Sequence, residues 1–295
     1  MTTTLADPPV RRAALPTLAA LTTVLLWASA FIVIRAVGAH YGPGSLALGR
    51  LVSGAVALTT VALFRPRILP RGRPLALVLA YGVLWFGMYA ILINAAEQHL
   101  DAGTTALVVN VGPILIAVLA GIYLNEGFPR GLITGVVIAF AGVATIAAAT
   151  STGRHDAIGV LLALGAAALY AVGVLLQKQA LVTVDAFTAT WLGCVAGAVA
   201  CLPYAPSLVR DLASAPAPAT AGLVYLGLFP TAVAFATWAY ALSRMNAGRL
   251  SSSTYLVPGI AVLMSWAFLG EVPAALAFVG GGLCLVGVAV TRWRA

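Results

Sequence analysis

Charged side chains are the scarcest component of this sequence. Asp, Glu, Lys and Arg together make up 8% of its 295 residues, whereas hydrophobic residues make up 62%. A water-soluble domain of this length needs many more charges to cover its surface. The composition therefore excludes an ordinary soluble protein and favours a chain whose solvent is a lipid bilayer.

Cysteine and histidine are also rare, with three residues of each. The cysteines lie inside apolar runs without CxxC spacing, and the histidines lie in or near the segments between such runs. HExxH, P-loop and GxSxG motifs are missing as well. We therefore expect structural thiols, no metal ion, no cofactor and no catalytic residue.

Acidic residues are half as numerous as basic ones, which gives a net charge of +8. In a soluble protein such an excess would favour nucleic acid as a partner. Here the basic residues occupy short gaps between apolar segments, so membrane topology explains them better. We expect the lipid bilayer as a partner and no nucleic acid.

Apolar runs long enough to cross a bilayer fill most of the chain. A spanning helix needs about 20 mostly apolar residues. The sequence contains ten such stretches, at 14–37, 45–64, 75–96, 102–123, 131–149, 157–176, 186–202, 219–242, 250–268 and 274–290. The first could also be a secretory signal, because Arg11 and Arg12 precede it and Ala28-Ser29-Ala30 has the form of a cleavage site. Since apolar sequence continues to Ile34, we interpret it as a helix.

The positions of Lys and Arg predict the orientation of these stretches, because cytoplasmic loops retain positive charge. Twelve of the sixteen basic residues lie in alternate gaps, namely Arg11, Arg12, Arg65, Arg67, Arg71, Arg73, Arg130, Lys178, Arg244, Arg249, Arg292 and Arg294. This split predicts ten spans in a bacterial-type inner membrane, with both termini in the cytoplasm. Residues 1–13 and 292–295 are then cytoplasmic tails, and residues 150–156 form a periplasmic connector.

Self-comparison of the sequence reveals an internal repeat. When the chain is shifted by 145 residues, Pro113 meets Pro258 and Glu126 meets Glu271 without a gap. A repeat of this kind indicates duplicated structural units.

Each repeated unit contains five predicted spans, at residues 14–149 and 157–291. Because five is odd, the second unit must enter the membrane from the opposite side. The predicted fold is therefore an all-α polytopic membrane protein with ten transmembrane helices in two inverted-topology five-helix repeats. Many carriers that work by alternating access have this plan.

Several motifs carry a family resemblance. Leu25-Leu26-Trp27-Ala28-Ser29-Ala30-Phe31 lies in the first stretch, Arg50 in the second, and Gly270-Glu271 before the last. In order and spacing they resemble the first-helix signature, the second-helix arginine and the Gly-Glu motif of the drug/metabolite transporter superfamily, in its ten-helix branch with a duplicated five-helix unit. Asn125-Glu126 departs from that pattern, with Asn in place of Gly. The resemblance implies small-molecule transport, often export of amino acids or other metabolites.

Aromatic residues are the first candidates for a substrate site. Tyr81, Trp85 and Tyr89 recur every four residues and would share one face of a regular helix. They could line a cavity that stacks an apolar or aromatic substrate, or they could form a packing stripe toward other helices or lipid. On the first interpretation, Trp85→Ala or Tyr89→Ala impairs transport and leaves folding intact.

Two proline-containing stretches indicate a site near the membrane midplane, because interrupted helices at corresponding positions of two repeats mark such sites. Asn110 precedes Pro113, and Ser253 and Tyr255 precede Pro258. Their polar groups could face a cavity or bond their own backbone. The remaining substrate-binding candidates are Trp27, Tyr170, Gln177, Trp238 and Tyr240. Trp238 and Tyr240 could instead belong to an interfacial aromatic belt.

Charged groups within the apolar stretches are costly when unsatisfied. Arg50 could bind a carboxylate, extend to the lipid headgroups or make an interhelical contact, and we favour the contact. Arg35 and Lys178 lie at the ends of stretches, where extension to the headgroups is the ordinary explanation. We expect Glu126 and Glu271 to cap helices and fix loops rather than to carry protons.

The predicted function is a secondary transporter of a small metabolite, with amino acids, aromatic ones included, as the favoured substrate for export. It would work by alternating access around a central cavity. A channel-like facilitator of another solute stays open as an alternative. So does a membrane-embedded enzyme that modifies lipid with Glu97, His99 and Asp101, although these residues fit a solvated loop better. The sequence leaves a monomer and a homodimer undecided.

Overall fold

The structure is a computed structural model that describes residues 9–65, 68–124, 157–271 and 275–293, with isolated positions between 131 and 145. Within these ranges all regular secondary structure is helical, which confirms the predicted all-α class. Glu126 and most of the predicted fifth stretch lie outside the described residues. The domain boundaries therefore stay a prediction.

Nine long helices in the described ranges follow the predicted apolar stretches. They are α1 (Pro9–Val37), α2 (Pro43–Leu63), α3 (Arg73–His99), α4 (Ala102–Tyr123), α5 (Ala157–Ala180), α6 (Ala186–Ala200), α7 (Ala217–Leu242), α8 (Ala247–Leu269) and α9 (Ala275–Trp293).

Seven of these helices, α1 to α5, α7 and α8, contain segments long and apolar enough to span a membrane. The helix α6 makes an eighth span if it is joined to Leu202–Ser214, which bends away from it by 51°. The long apolar part of α9 is the shorter segment Phe278–Gly287. The structure thus shows a protein with many candidate membrane spans, and the count of ten stays a prediction.

The first helix is an integral part of the bundle. It packs against α7 and α8, and Ala28 within the small-residue motif is fully buried. A removable signal segment would not supply core contacts in this way, so the interpretation of this stretch as a helix of the bundle stands.

Irregular turns interrupt four helices in two pairs that obey the same 145-residue shift as the sequence. The helix α3 widens to a π-helical turn at Gly82–Met88, and α7 does so at Gly227–Val233. The helix α4 breaks at Asn110, and α8 tightens to a 3₁₀ turn at Ser252–Tyr255. Because both repeats carry the same irregularities at equivalent positions, the backbone supports the duplication.

Glycines bring the helix backbones close together. A Cβ atom added to Gly227 would lie 2.4 Å from the carbonyl oxygen of Arg50, so α7 packs directly on the backbone of α2. A Cβ atom added to Gly82 would lie 2.5 Å from the carbonyl oxygen of Gly193 on α6. Small residues at such contacts are the usual basis of helix packing in membranes, where the hydrophobic effect between helices is weak.

The bundle has two ends, which we name after a residue at each. At the Glu97 end, α1, α3 and α8 finish and α2 and α4 begin. There Arg35 Nε donates to Glu271 Oε1 at 2.8 Å, and Asn94 Nδ2 donates to the carbonyl oxygen of Pro43 at 3.0 Å. The prediction that Arg35 extends to the headgroups is therefore wrong in this structure, because an acidic partner lies within reach.

At the opposite Lys178 end, α2, α5 and α7 finish and α6 and α8 begin. Lys178 Nζ donates to the carbonyl oxygens of Leu242 at 2.7 Å and Met245 at 2.6 Å. These carbonyls lie at and beyond the last turn of α7, where backbone acceptors have no partner within the helix. Lys178 thus ties α5 to α7, which corrects the prediction that it extends to the headgroups.

Two buried hydrophobic clusters fill the bundle, one toward each end. The first, toward the Lys178 end, contains Trp85, Tyr170 and Trp238. The second, toward the Glu97 end, contains Phe31 and Ile93. The candidate site described below lies where these two clusters meet.

Candidate functional site

A cavity lies inside the bundle where the two clusters meet. It holds about 630 Å³ of empty space, part of it open to the surroundings. A mostly apolar lining with a few polar groups is typical of small-molecule sites. The lining consists of Trp27, Ala30, Phe31, Ile34, Arg50, Trp85, Tyr89, Ile93, Ala106, Val109, Asn110, Pro113, Tyr170, Phe235, Thr254 and Val257.

Four rings form what we call the aromatic wall of the cavity: Trp27, Trp85, Tyr170 and Phe235, from four different helices. The ring centroid of Trp85 lies 6.0 Å from that of Trp27, 5.2 Å from that of Tyr170 and 4.8 Å from that of Phe235. Tilted and edge-to-face pairs at such distances contribute about 0.5–1.5 kcal/mol each beyond their burial. The rings therefore hold one another in place and present a rigid apolar surface.

Glycines of neighbouring helices accommodate two of these rings. A Cβ atom added to Gly173 would lie 2.5 Å from Cβ of Trp85, and one added to Gly112 would lie 2.6 Å from Cδ1 of Tyr170. Both distances are too short for any residue with a side chain. These glycines therefore set how closely the aromatic wall approaches α4 and α5.

Arg50 supplies a positive charge to the cavity. Its side chain is 6% exposed, and its Nε donates to Thr231 Oγ1 at 3.1 Å. Thr231 lies in the π-helical turn of α7 and donates in turn to the carbonyl oxygen of Leu226 at 2.8 Å. Among the described residues no carboxylate forms an ion pair with Arg50, so its terminal N–H donors remain available to a bound anion.

Asn110 and Thr254 add neutral polar groups from the interrupted helices α4 and α8. Asn110 Nδ2 is buried and has no hydrogen-bond partner in the described part of the chain. The hydroxyl of Thr254 donates to the carbonyl oxygen of Ser251 at 2.6 Å, which leaves its oxygen as an acceptor. Together with Arg50, the cavity thus offers a cation, an amide and a hydroxyl against an apolar wall.

Five residues that the sequence proposes for a site line this cavity: Trp27, Trp85, Tyr89, Asn110 and Tyr170. Trp238 lies directly behind the aromatic wall, fully buried, with its ring centroid 4.9 Å from that of Trp27. The interfacial-belt interpretation of Trp238 is therefore wrong, because a fully buried ring cannot reach the headgroups.

The other five proposed residues are absent from the lining of this cavity. Gln177 is fully buried in α5 near the Lys178 end. Tyr240 lies at the same end, where the Arg244 guanidinium stacks 3.8 Å from its ring centroid. The hydroxyl of Ser253 donates to the carbonyl oxygen of Leu250, and Tyr255 is absent from the cavity lining although it follows Thr254.

Tyr81, the fifth, does not share a face with Trp85 and Tyr89. Its hydroxyl donates to the carbonyl oxygen of Ala189 on α6, whereas Trp85 packs on α5. The π-helical turn begins directly after Tyr81, and its wider turn rotates the following side chains relative to a regular helix. The four-residue spacing assumes a regular α-helix and could not reveal this.

Phe235 and Thr254 are two of the lining residues that the sequence-based candidates omit. Thr254 belongs to the polar run before Pro258 and could have been chosen on that basis. Phe235 is one of many apolar residues in α7, and no sequence signal separates it from its neighbours. Arg50 was expected to make an interhelical contact, and the structure confirms that contact while also placing its guanidinium in the cavity lining.

The residues considered for a lipid-modifying enzyme do not form a solvated loop. Glu97 is 2% exposed within α3. Asp101 caps α4 through Thr104, whose backbone nitrogen donates to Oδ1 at 2.8 Å and whose hydroxyl donates to Oδ2 at 2.6 Å. The solvated-loop expectation is therefore wrong for Glu97, because α3 continues through it to His99.

A bundle of long apolar helices around a mostly apolar cavity, lined by an arginine that no carboxylate in the described part of the chain pairs with, defines a multi-pass membrane transporter of small molecules. The sequence profile of the EamA-like transporter family matches the chain twice, at residues 15–148 and 157–293. The chain therefore belongs to the EamA-like transporter family.

Individual relatives cover nearly the whole chain. A probable terminal-alkyne amino-acid exporter of Streptantibioticus cattleyicolor is 36% identical over 92% of this chain and 91% of its own length. The uncharacterized transporter YdfC of Bacillus subtilis is 33% identical over 90% of this chain and 87% of its own length. A probable amino-acid metabolite efflux pump of Salmonella typhimurium is 27% identical over 91% of this chain and 92% of its own length.

One solved crystal structure matches with a TM-score of 0.67 at 20% identity, covering 93% of this chain and 95% of that chain. At this identity the match concerns the fold alone. It agrees with the helical bundle described above.

Proposed function

We propose that this chain exports amino acids, with the substrate carboxylate bound by Arg50 and an apolar or aromatic side chain packed on the aromatic wall. The observation that carries the proposal is the buried guanidinium, which has no ionic partner in the described ranges of the chain and lies beside four rings. Two relatives described as a probable amino-acid exporter and a probable amino-acid metabolite efflux pump support the same class of substrate.

The chemistry of the cavity fits a molecule with one anionic end and one apolar end. A guanidinium binds a carboxylate through parallel N–H donors, and such charge-assisted bonds are among the strong ones in proteins. The substrate ammonium group finds the faces of aromatic rings, which attract cations. Asn110 and Thr254 supply further polar contacts.

Alternating access is the proposed mechanism. Export by this route requires the site to face each side of the membrane in turn, and two inverted repeats allow that by exchanging their conformations. The present cavity lies toward the Glu97 end, which the charge bias assigns to the periplasm. In the opposite conformation we propose that Tyr81, Gln177, Trp238 and Tyr240, toward the Lys178 end, join the path, with Ser253 and Tyr255 on the interrupted helix α8.

Transport into proteoliposomes tests the assignment of Arg50. The purified protein is reconstituted and offered a panel of labelled amino acids, and each transported one is compared with its carboxamide, which lacks the negative charge. We expect Arg50→Gln to lower kcat/KM for the amino acid by about 10- to 100-fold, since a hydrogen bond to a charged group contributes about 1.5–3 kcal/mol. Transport of the carboxamide should change little.

Arg210→Gln is the matched control. Arg210 lies on the exposed helix Ala205–Ser214 at the same end, and its Nε donates to the carbonyl oxygen of Pro206 at 3.3 Å. This variant should transport like the unsubstituted protein. Equal losses for amino acid and carboxamide in Arg50→Gln would reject carboxylate recognition, and a panel in which no amino acid is transported would reject the proposed substrate class.

A further inference from the structure

Glu97 is a buried acid that the proposed substrate site does not use. It lies one helical turn beyond Ile93 and two beyond Tyr89 on the same face of α3, between the cavity and the Glu97 end. Neither of its carboxyl oxygens has a hydrogen-bond partner among the residues that the structure describes. Neighbouring acids are satisfied, since Asp101 caps α4 and Glu271 accepts from Arg35.

Charged and titratable groups approach Glu97 from α1 to α4 and from the segment after α8, whereas α5, which also packs on α3, brings none of them. Arg35 comes from α1, Arg50 from α2, Tyr89 from α3 itself, Asp101 from the start of α4 and Glu271 from the segment after α8. The hydrogen bonds of Arg35 do not go to the carboxyl oxygens of Glu97. Its Nε donates to Glu271, and its Nη1 donates to the backbone carbonyl of Glu97 at 2.9 Å.

A carboxylate in these surroundings is costly, because an isolated buried charge without hydrogen bonds loses its hydration without compensation. A neutral carboxylic acid loses far less. Both oxygens are fully buried and Glu97 is absent from the cavity lining, so an organic ligand in the cavity does not reach them. The neutral form of Glu97 is the one that this arrangement of Arg35 and Glu271 accommodates.

We infer that Glu97 is a proton-binding site that controls the ion pair between Arg35 and Glu271. While Glu97 holds its proton, Arg35 stays on Glu271 and ties α1 to the segment after α8. When the proton passes to water, the new carboxylate attracts the guanidinium, which already contacts the backbone of Glu97, and Glu271 is released. The contact between α1 and the end of α8 then loosens next to the cavity.

Distance measurements between spin labels test this site without any substrate, so the result is independent of the proposed cargo. Labels are attached to Ala39→Cys and Phe268→Cys, two exposed positions near the ends of α1 and α8, after the three native cysteines are replaced by alanine. Pulsed electron paramagnetic resonance in lipid nanodiscs is recorded from about pH 5 to about pH 9. This range lies between the ordinary pKa values of carboxyl groups and those of lysine and arginine side chains. We expect one short distance at acidic pH and a longer, broader distribution at alkaline pH.

Variants assign the effect to its residue. Glu97→Gln, which is neutral at every pH, should keep the short distance throughout, and Glu271→Gln should show the long distance throughout. Asp211→Asn is the control at the same end, because Asp211 already accepts from the backbone nitrogen of Gly42 and from Ser45, and it should titrate like the parent.

An infrared measurement on the parent protein avoids dependence on the folding of any variant. The absorption band of a neutral carboxylic acid should disappear over the same pH range in which the labels separate. A parent distance that ignores pH, a pH response that persists in Glu97→Gln, or the absence of a titrating carboxylic-acid band would each overturn the inference.

Discussion

At the scale of residues, two buried charged groups on neighbouring helices have contrasting surroundings. Arg50 on α2 has one hydrogen bond to Thr231 and a cavity in front of it, while the carboxyl oxygens of Glu97 on α3 have no donor among the described residues. Charged groups inside a membrane protein are expensive and are retained mainly where they act. We therefore propose different ligands for the two groups, an organic anion for Arg50 and a proton for Glu97.

Substitutions of Tyr89 and Trp85 distinguish an effect on transport from an effect on the stability of the fold. Both line the cavity, but Trp85 is 1% exposed and packed among four other rings, whereas Tyr89 is only partly buried. We expect Tyr89→Ala to reduce amino-acid transport with little change in thermal stability. Trp85→Ala should destabilise the protein by about 3–5 kcal/mol, because truncating a packed Trp leaves a large void.

The measurement is transport in proteoliposomes beside thermal unfolding in detergent. This expectation corrects the sequence-based one, which has both variants folding normally, since the sequence could not show that Trp85 lies in the core. Normal transport by Tyr89→Ala would remove Tyr89 from the site.

At the scale of elements, the helices that form the cavity are the irregular ones. The π-helical turn of α3 carries Trp85, and that of α7 carries Thr231. The broken turns of α4 and α8 carry Asn110 and Thr254. π-helical turns are rare and occur frequently at functional sites, and here they aim side chains in directions that a regular helix would not.

Gly173→Ala tests the close contact between α3 and α5. The added Cβ atom would meet Cβ of Trp85 at 2.5 Å, where no flexible end can move aside. We expect a loss of about 1–3 kcal/mol in stability, the usual cost of overpacking, and a displaced aromatic wall with weaker transport. Gly165→Ala on the same helix is the matched control, because its nearest neighbour is the mobile tip of Leu92 at 3.2 Å.

Thermal unfolding of both variants in the same detergent provides the comparison. If Gly173→Ala unfolds at the same temperature as Gly165→Ala, the packing of Trp85 on α5 is not as tight as the structure indicates.

At the scale of the whole molecule, the duplication appears in two independent forms. The same family profile matches both halves of the chain, and the irregular turns recur after 145 residues. Side-chain identity and backbone shape therefore repeat together. The proposed inverted orientation of the two halves rests on the odd number of predicted spans in each.

Cysteine labelling tests that orientation. Val209 and Val182 are 67% and 81% exposed, at the Glu97 end and the Lys178 end, respectively. In a background without native cysteines, we expect a membrane-impermeant maleimide to label Val209→Cys in cells with a permeable outer membrane. Val182→Cys should react only after the inner membrane is opened, because basic residues flank the Lys178 end. The reverse pattern would place the termini outside the cytoplasm.

Much of the helical layout follows from the sequence, because long apolar runs have few alternatives in a bilayer, where every backbone polar group must bond within the helix. Aromatic, proline and polar signals in the sequence proposed eleven site residues, and five of these line one cavity in the structure. The other six lie outside the lining of this cavity for local reasons. Tyr81 is rotated by a π-helical turn, and Tyr240 lies too far along α7.

The sequence by itself determined the solvent of this protein, its helical class and its repeat. Composition and the length of an apolar run are local properties of the chain, and a repeat is visible as matching residues at a fixed spacing. Only the tertiary structure decided the state of the charged residues. Whether Arg50 has an ionic partner, and which acid Arg35 contacts, depends on residues separated by up to 236 positions in the chain. Electrostatic energy depends on distance in space and on burial, and neither can be read from the order of residues.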